Sequence, residues 1–101
     1  MIVYNLTIQV EGGMAHDWLN WQKAEHIPET MRTGLFEDYK IYRLLEPDDQ
    51  QGPTYTIQYF ASSEENYRKY LAEFAPLLRQ KAFARWGNKF IAHRTLMELV
   101  H

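Results

Sequence analysis

From Ile2 to Val10 the chain alternates without a break. Ile2, Tyr4, Leu6, Ile8 and Val10 fall on one side of an extended backbone, and Val3, Asn5, Thr7 and Gln9 fall on the other. Successive side chains of a strand point to opposite faces, so a period of two predicts a strand with one strongly apolar face. Such a face must be covered by another layer, and the rest of the chain has to supply it. Glu11-Gly12-Gly13 ends the strand, because paired glycines interrupt regular structure.

The cover is expected from Met14 to about Thr33. Met14, Trp18, Trp21 and Ala24 recur at spacings of three and four, a stripe suited to lying on a sheet. Pro28 lacks a backbone donor and disfavours helical geometry in the residue before it. A break or kink is therefore expected at His26-Ile27, with Pro28 opening a second short helix whose first turn suits Glu29. Gly34 is the expected left-handed C-cap. Leu35 to Glu46 reads as a second strand and Pro47 to Pro53 as a polar turn. Thr54 to Phe60 alternates Tyr55, Ile57 and Tyr59 against Thr56 and Gln58, so the two strands should form an antiparallel hairpin. Ser62 and Glu65 have capping-box spacing. Beyond them Tyr67, Tyr70, Leu71, Phe74, Leu77, Leu78 and Ala82 make the buried stripe of a second helix, kinked at Pro76 and closed by Trp86 and Gly87. Lys89 to Val100 has the composition of a fourth strand.

Strand, helix, strand, strand, helix, strand is the split βαβ order of ferredoxin-like α+β folds. It predicts one domain over residues 1–101, with a four-stranded antiparallel sheet and both helices on one face. Strands one and three should be central. Lys40, Arg43, Arg94 and Glu98 then sit on edges that charge protects from uncontrolled pairing. The uncovered face would carry Val3, Asn5, Thr7, Gln9, Thr56, Gln58 and Phe60, or else the more aromatic alternates. Packing two such faces together as a homodimer is the expected solution.

Composition narrows the function classes. A net charge of −2 with scattered Lys and Arg leaves no electrostatic footprint for nucleic acid or an anionic membrane. The absence of cysteine removes disulfides, thiolate catalysis and cysteine metal sites. No window approaches the ~20 apolar residues of a spanning helix, and the chain opens directly into a strand, so a soluble cytoplasmic protein is expected. A phosphate loop and a dinucleotide fingerprint are both missing, and no cofactor is expected.

The stretch Met14–Gly34 holds two of the three tryptophans and a Glu-His pair just before a proline. His26 is the leading catalytic candidate: at the end of a helical segment it could face the space between helix and sheet and move a proton near neutral pH. Its structural alternative is to cap the helix break. Glu25 falls near the tryptophan stripe, where burial would raise its pKa and suit proton transfer; a kink would instead turn it into solvent. Trp18, Trp21, Tyr67, Tyr70, Phe74 and Trp86 could line a pocket for a small apolar or aromatic molecule, with core packing as the alternative. Asn5, with Arg43, His93 and Arg94, would supply polar accents on the sheet or at a dimer contact. His16, His26, His93 and His101 show no paired metal-ligand spacing, so no metal site is expected. The two competing functions are a ligand-binding or enzymatic pocket and a non-catalytic dimerisation or small-molecule-sensing module. A cavity that reaches His26 separates them.

M-I-V-Y-N at the start, W-L-N-W followed by E-H-I-P, T-G-L-F-E-D-Y-K-I-Y-R-L-L, Y-T-I-Q-Y-F, E-F-A-P and the closing H-R-T-L-M-E together resemble a bacterial family classed as a domain of unknown function. The resemblance runs nearly end to end. More distantly, the element order, the length and the stretch from Trp18 or Trp21 to His26-Ile27-Pro28 look like the dimeric α+β-barrel superfamily. That group holds antibiotic-biosynthesis-type monooxygenases, haem-degrading enzymes, lactone isomerases and stress-responsive proteins. The resemblance implies a fold and leaves function open. Haem degradation in that group leans on a histidine of the second helix, and Ser63 to Trp86 contains none.

Overall fold

A computed structural model of the chain describes residues 1–46 and 51–100. The alternating N-terminal segment becomes β1 (Ile2–Val10) and lies inside a four-stranded antiparallel sheet. The sheet order is β2 (Asp38–Arg43), β3 (Thr54–Ala61), β1, β4 (Phe90–Glu98), so strands one and three are central as the sequence order requires. Register decides which face is covered. Tyr4 stands opposite Tyr59 and Leu96, Leu6 opposite Ile57 and Arg94, and Ile8 opposite Tyr55 and Ala92. Tyr4, Ile8, Tyr55, Ile57 and Tyr59 belong to the buried core. The helices therefore cover the aromatic face. Asn5, Thr7, Thr56, Gln58, Phe60, His93 and Thr95 share the face that no helix covers.

Two strands are shorter than their composition implies. The second spans Asp38–Arg43 rather than Leu35 to Glu46, because Phe36 turns into the core at 5% exposed while Leu44 and Leu45 run out at 40% and 79%. The fourth stops at Glu98, although Leu99 still donates its N–H to the Met1 carbonyl at 2.9 Å. Pro47 to Gln50 of the expected polar turn, and His101, lie outside the described residues.

The first covering layer is one winding run with a change of pitch. A 3₁₀ turn at Gly12–Met14 leads into α1 (Ala15–Trp21), a π-helical segment follows at Gln22–His26, and α2 (Ile27–Met31) completes it. Instead of a sharp kink at His26-Ile27, the chain widens before the proline. The Ile27 N–H reaches the Gln22 carbonyl five residues back. The wider turn passes a proline that has no N–H to give and sits where a helix tolerates it, in the first turn of α2. The run is capped by Arg32 in right-handed geometry rather than by Gly34, which follows two residues later in the turn at φ 76°.

The second layer is α3 (Glu64–Glu73) and α4 (Ala75–Trp86), separated at Phe74 by non-helical backbone ahead of Pro76. The cap is Ser63 rather than Ser62: its Oγ accepts the Asn66 N–H at 3.1 Å, and Ser62 takes the Asn66 side-chain amide instead. Tyr67, Tyr70 and Leu78 are buried as expected, but Leu77 is 57% exposed, since the break at Phe74 resets the helical phase. Gly87, at φ 63°, caps α4. Where the layers meet, Tyr4 lies among Phe36, Tyr59, Tyr67 and Tyr70, with ring centres 5.3–6.3 Å apart. Among the described residues no helix is long and apolar enough to cross a membrane.

Candidate functional site

Between sheet and helices the packing is incomplete. A cavity of about 60 Å³ is walled by Tyr4, Leu6 and Ile8 of β1, by Trp18, Gln22 and His26 of the first helical run, and by Tyr70 and Leu78 of the second. Arg79 and Ala82 of α4 and Phe90, Ala92 and Arg94 of β4 complete it. Arg79 and Arg94 are exposed residues, so the cavity reaches the surface where they stand. One water needs roughly 10–15 Å³ on this scale, so the space holds about four.

His26 ends the π segment, and the widened turn is what aims it. Its ring lies flat on Trp21, with centres 4.5 Å apart and planes 22° from parallel. Burial pushes its pKa down to about 4; the Glu29 carboxylate opposes this and the Lys81 ammonium adds to it. The imidazole is therefore neutral at pH 7. It is not sealed by the tryptophans, since it also borders an outer groove with Trp21, Glu25, Glu29 and Lys81. Gln22, one turn from Trp18, is 4% exposed and lines the cavity, and its Oε1 finds no hydrogen-bond partner in the protein. Arg79 donates to the Tyr4 hydroxyl at 3.2 Å. Burial, with the neighbouring Tyr4, raises the Tyr70 pKa to about 12, while Arg79 and Arg94 both pull it down.

Four of the residues singled out from sequence meet at this cavity: His26, Trp18, Tyr70 and Arg94. The others go elsewhere. Glu25 is exposed and borders the outer groove, because the π turn rotates it off the buried face. Trp21 carries His26 on one side and meets the edge of Trp86, 5.9 Å away, on the other. Trp86 is buried, with Arg85 over its ring at 4.0 Å. Tyr67 packs on Tyr4 in the core. Phe74 sits at the α3–α4 break beside a surface groove with Glu29 and Lys81. Asn5 is on the opposite face of the sheet, where its amide donates to the Thr7 and Thr95 hydroxyls, each at 3.2 Å. Of the sheet accents only Arg94 borders the cavity.

Sequence reasoning passed over Tyr4, Gln22 and Arg79. Gln22 carried a readable signal: it stands four residues after Trp18, a polar amide on the apolar stripe. Arg79 follows Leu78 on a helix whose phase is set by the break at Phe74, which spacing alone does not reveal. Among the described residues no group of three His, Asp or Glu side chains could hold a metal ion.

No curated protein matches the chain by sequence. Its fold is matched by solved structures. One is a point mutant of SnoaB, a cofactor-independent oxygenase from Streptomyces nogalater, with 15% identity, TM-score 0.70, and 99% of this chain and 93% of that one covered. Another is a dimeric ferredoxin-like protein from an uncultured marine organism, with 8% identity, TM-score 0.72, and coverage of 99% and 95%. A third is a mutant of MhuD with two manganese protoporphyrin IX molecules bound per active site, with 17% identity, TM-score 0.71, and coverage of 100% and 96%. At such identities the likeness shows the fold, the ferredoxin-like architecture of dimeric α+β-barrel proteins, and nothing of their chemistry. With residues 1–100 matched by its model, the chain belongs to the family described as domain of unknown function DUF4286.

Proposed function

We propose that this protein binds a small organic molecule in the cavity between sheet and helices, as a homodimer paired through the open sheet face. One observation carries the binding reading. The cavity gathers the neutral imidazole of His26, the under-used amide of Gln22 and the phenols of Tyr4 and Tyr70 beside the apolar walls of Trp18 and Leu78. Apolar walls with a few convergent polar groups are how small-molecule sites are built. A module whose helices served only packing would fill that space.

A porphyrin does not suit this cavity. The space is a few waters wide, and its one imidazole, His26, is already stacked on Trp21. With its pKa pushed down to about 4, His26 would serve at pH 7 as a neutral imidazole, with one ring N–H to donate and one ring nitrogen to accept a hydrogen bond, and not as a cationic general acid. The homodimer rests on the uncovered sheet face and on the dimeric neighbour of the same fold. Native mass spectrometry of protein purified from its own host tests both halves. The expected spectrum shows twice the 12.1 kDa chain with a reproducible extra mass, lost in Gln22→Leu. A bare 12.1 kDa species at micromolar concentration would overturn the dimer. An empty protein that also fails to take up any of a small-acid and small-alcohol panel would overturn the site.

A further inference from the structure

Resting on the cavity as a ligand site, we infer that its ligand is a small carboxylic acid, with the carboxylate held between Arg79 and Arg94 and the carbon body directed inward. Arg79 comes from the helix layer and Arg94 from the sheet layer, opposite Leu6 on β1, and both line the cavity where it reaches the surface. Both guanidiniums also pull the Tyr70 pKa down, as two cations lining the same cavity would. Elsewhere on the surface Arg68 is paired with Glu64, yet among the described residues no carboxylate lies in ion-pairing range of Arg79 or Arg94. Arg79 is instead steadied by donating to the Tyr4 hydroxyl at 3.2 Å. Its remaining N–H groups stay available. A planar guanidinium fork matches a carboxylate in two parallel hydrogen bonds, which makes two convergent arginines an acid-reading device.

The inner end selects for the rest of the molecule. Leu6, Leu78 and Ala92 offer only carbon, and the rings of Trp18 add a broad apolar wall that an inorganic anion cannot fill. Gln22, 4% exposed with an unpartnered Oε1, supplies a polar group that no protein contact consumes. The cavity is small, about 60 Å³, which suits a short carbon chain better than fused rings. The carboxylate stays at the rim, where desolvation is cheapest, and the chain fills the interior.

The test is a two-dimensional ¹H–¹⁵N NMR titration of the intact protein with butyrate, butyramide and inorganic phosphate, read at the Trp18 indole and the Arg94 amide. Butyrate is expected to shift both signals saturably, at about millimolar affinity. Butyramide should bind about tenfold or more weakly, because it lacks the charge-assisted hydrogen bonds. Arg79→Gln and Arg94→Gln should each weaken butyrate by a similar factor, while Arg68→Gln, on the outer face of α3, should leave it unchanged. All three arginines are exposed, so these variants are expected to fold. Equal affinity for butyrate and butyramide would keep the cavity as a ligand site and overturn the acid assignment. Phosphate displacing butyrate at equal strength would also overturn it, in favour of an anion hole with no use for a carbon body. No saturable shift at Trp18 with any probe would overturn both readings.

Discussion

The imidazole of His26 lies against the indole of Trp21 with ring centres 4.5 Å apart, and the same indole meets Trp86 in a T-shaped contact. This stack is why His26 reaches the cavity yet remains neutral. The indole shields one face of the imidazole from water, and burial at the end of the π segment lowers its pKa. The π segment then matters as a positioning device, because an α-helical pitch through Gln22–His26 would rotate the ring away from the indole and the cavity.

That neutrality has a signature in stability. The folded pKa of His26 is depressed to about 4 from an ordinary 6.5. Between those values the unfolded chain takes up the proton more readily, so the folded state loses stability as pH falls through 6.5 and the loss levels off near 4. Wild type should lose about 1–2 kcal/mol more than His26→Gln between pH 7 and pH 4.5, after allowing for the partly exposed ring. Urea unfolding of both proteins at the two pH values measures it. Identical acid limbs would mean that His26 is solvated in the native protein.

Trp18 is 1% exposed and stacks on Tyr55 of β3, with ring centres 5.4 Å apart and planes 29° from parallel. It joins the first helical run to the sheet and forms part of the cavity wall. Trp18→Ala should cost about 3–5 kcal/mol in urea unfolding, whereas Trp18→Phe should cost about 1–2 kcal/mol. A loss below about 1 kcal/mol for the alanine variant would show that the helix and sheet are held together elsewhere.

How much of this could be read from the chain depends on what set each feature. Ile2–Val10 alternates so cleanly that its strand and its apolar face were legible from residues alone, and the order of elements implied its central place. Which sheet face the helices cover stayed open between two alternatives that only the register and burial separate. Gly87 was legible too and caps α4 at positive φ, whereas α2 is capped by Arg32 and Gly34 lies two residues beyond it. What could not be read was helical phase. Pro28 announced an interruption, but whether the chain answers by kinking or by widening into a π turn depends on the sheet beneath it, and that choice turned Glu25 outward and His26 inward. The break at Phe74 did the same for the second layer, bringing Arg79 to the cavity and leaving Leu77 in solvent. The site was half legible because its residues come from both helical layers and from two strands, and register across the sheet, which placed Arg94 opposite Leu6, is a long-range property.

Gly52 holds a backbone position that no other residue fits. Its φ of 155° is one that side chains rarely adopt, and a Cβ there would overlap the carbonyl oxygen of Val10. The neighbouring Pro53 carbonyl accepts the Val10 N–H at 3.0 Å, so the approach closes the end of β1. Gly52→Ala should therefore destabilise the protein by about 2 kcal/mol or more, through displaced backbone rather than a lost contact. Thermal unfolding of the variant checks this, and an unchanged melting temperature would refute the close approach.

The open sheet face makes the last prediction. Thr7 stands near its centre, opposite Thr56 on β3 and His93 on β4, and accepts a hydrogen bond from Asn5. In a single chain this face meets water, so Thr7→Lys should change monomer stability by no more than about 0.5 kcal/mol. In a dimer packed face to face, the two-fold axis would bring the new ammonium near its own copy across a drying interface, with no carboxylate on either central strand to pair it. An unpaired buried charge costs several kcal/mol, enough to dissociate an interface of ordinary strength. Light scattering at micromolar concentration should then report twice 12.1 kDa for wild type and a single 12.1 kDa chain for Thr7→Lys. If both species scatter as dimers, the chains pair through some other surface. The free edge of β4 would be the next place to look, because its outer backbone groups are the ones a second strand could meet.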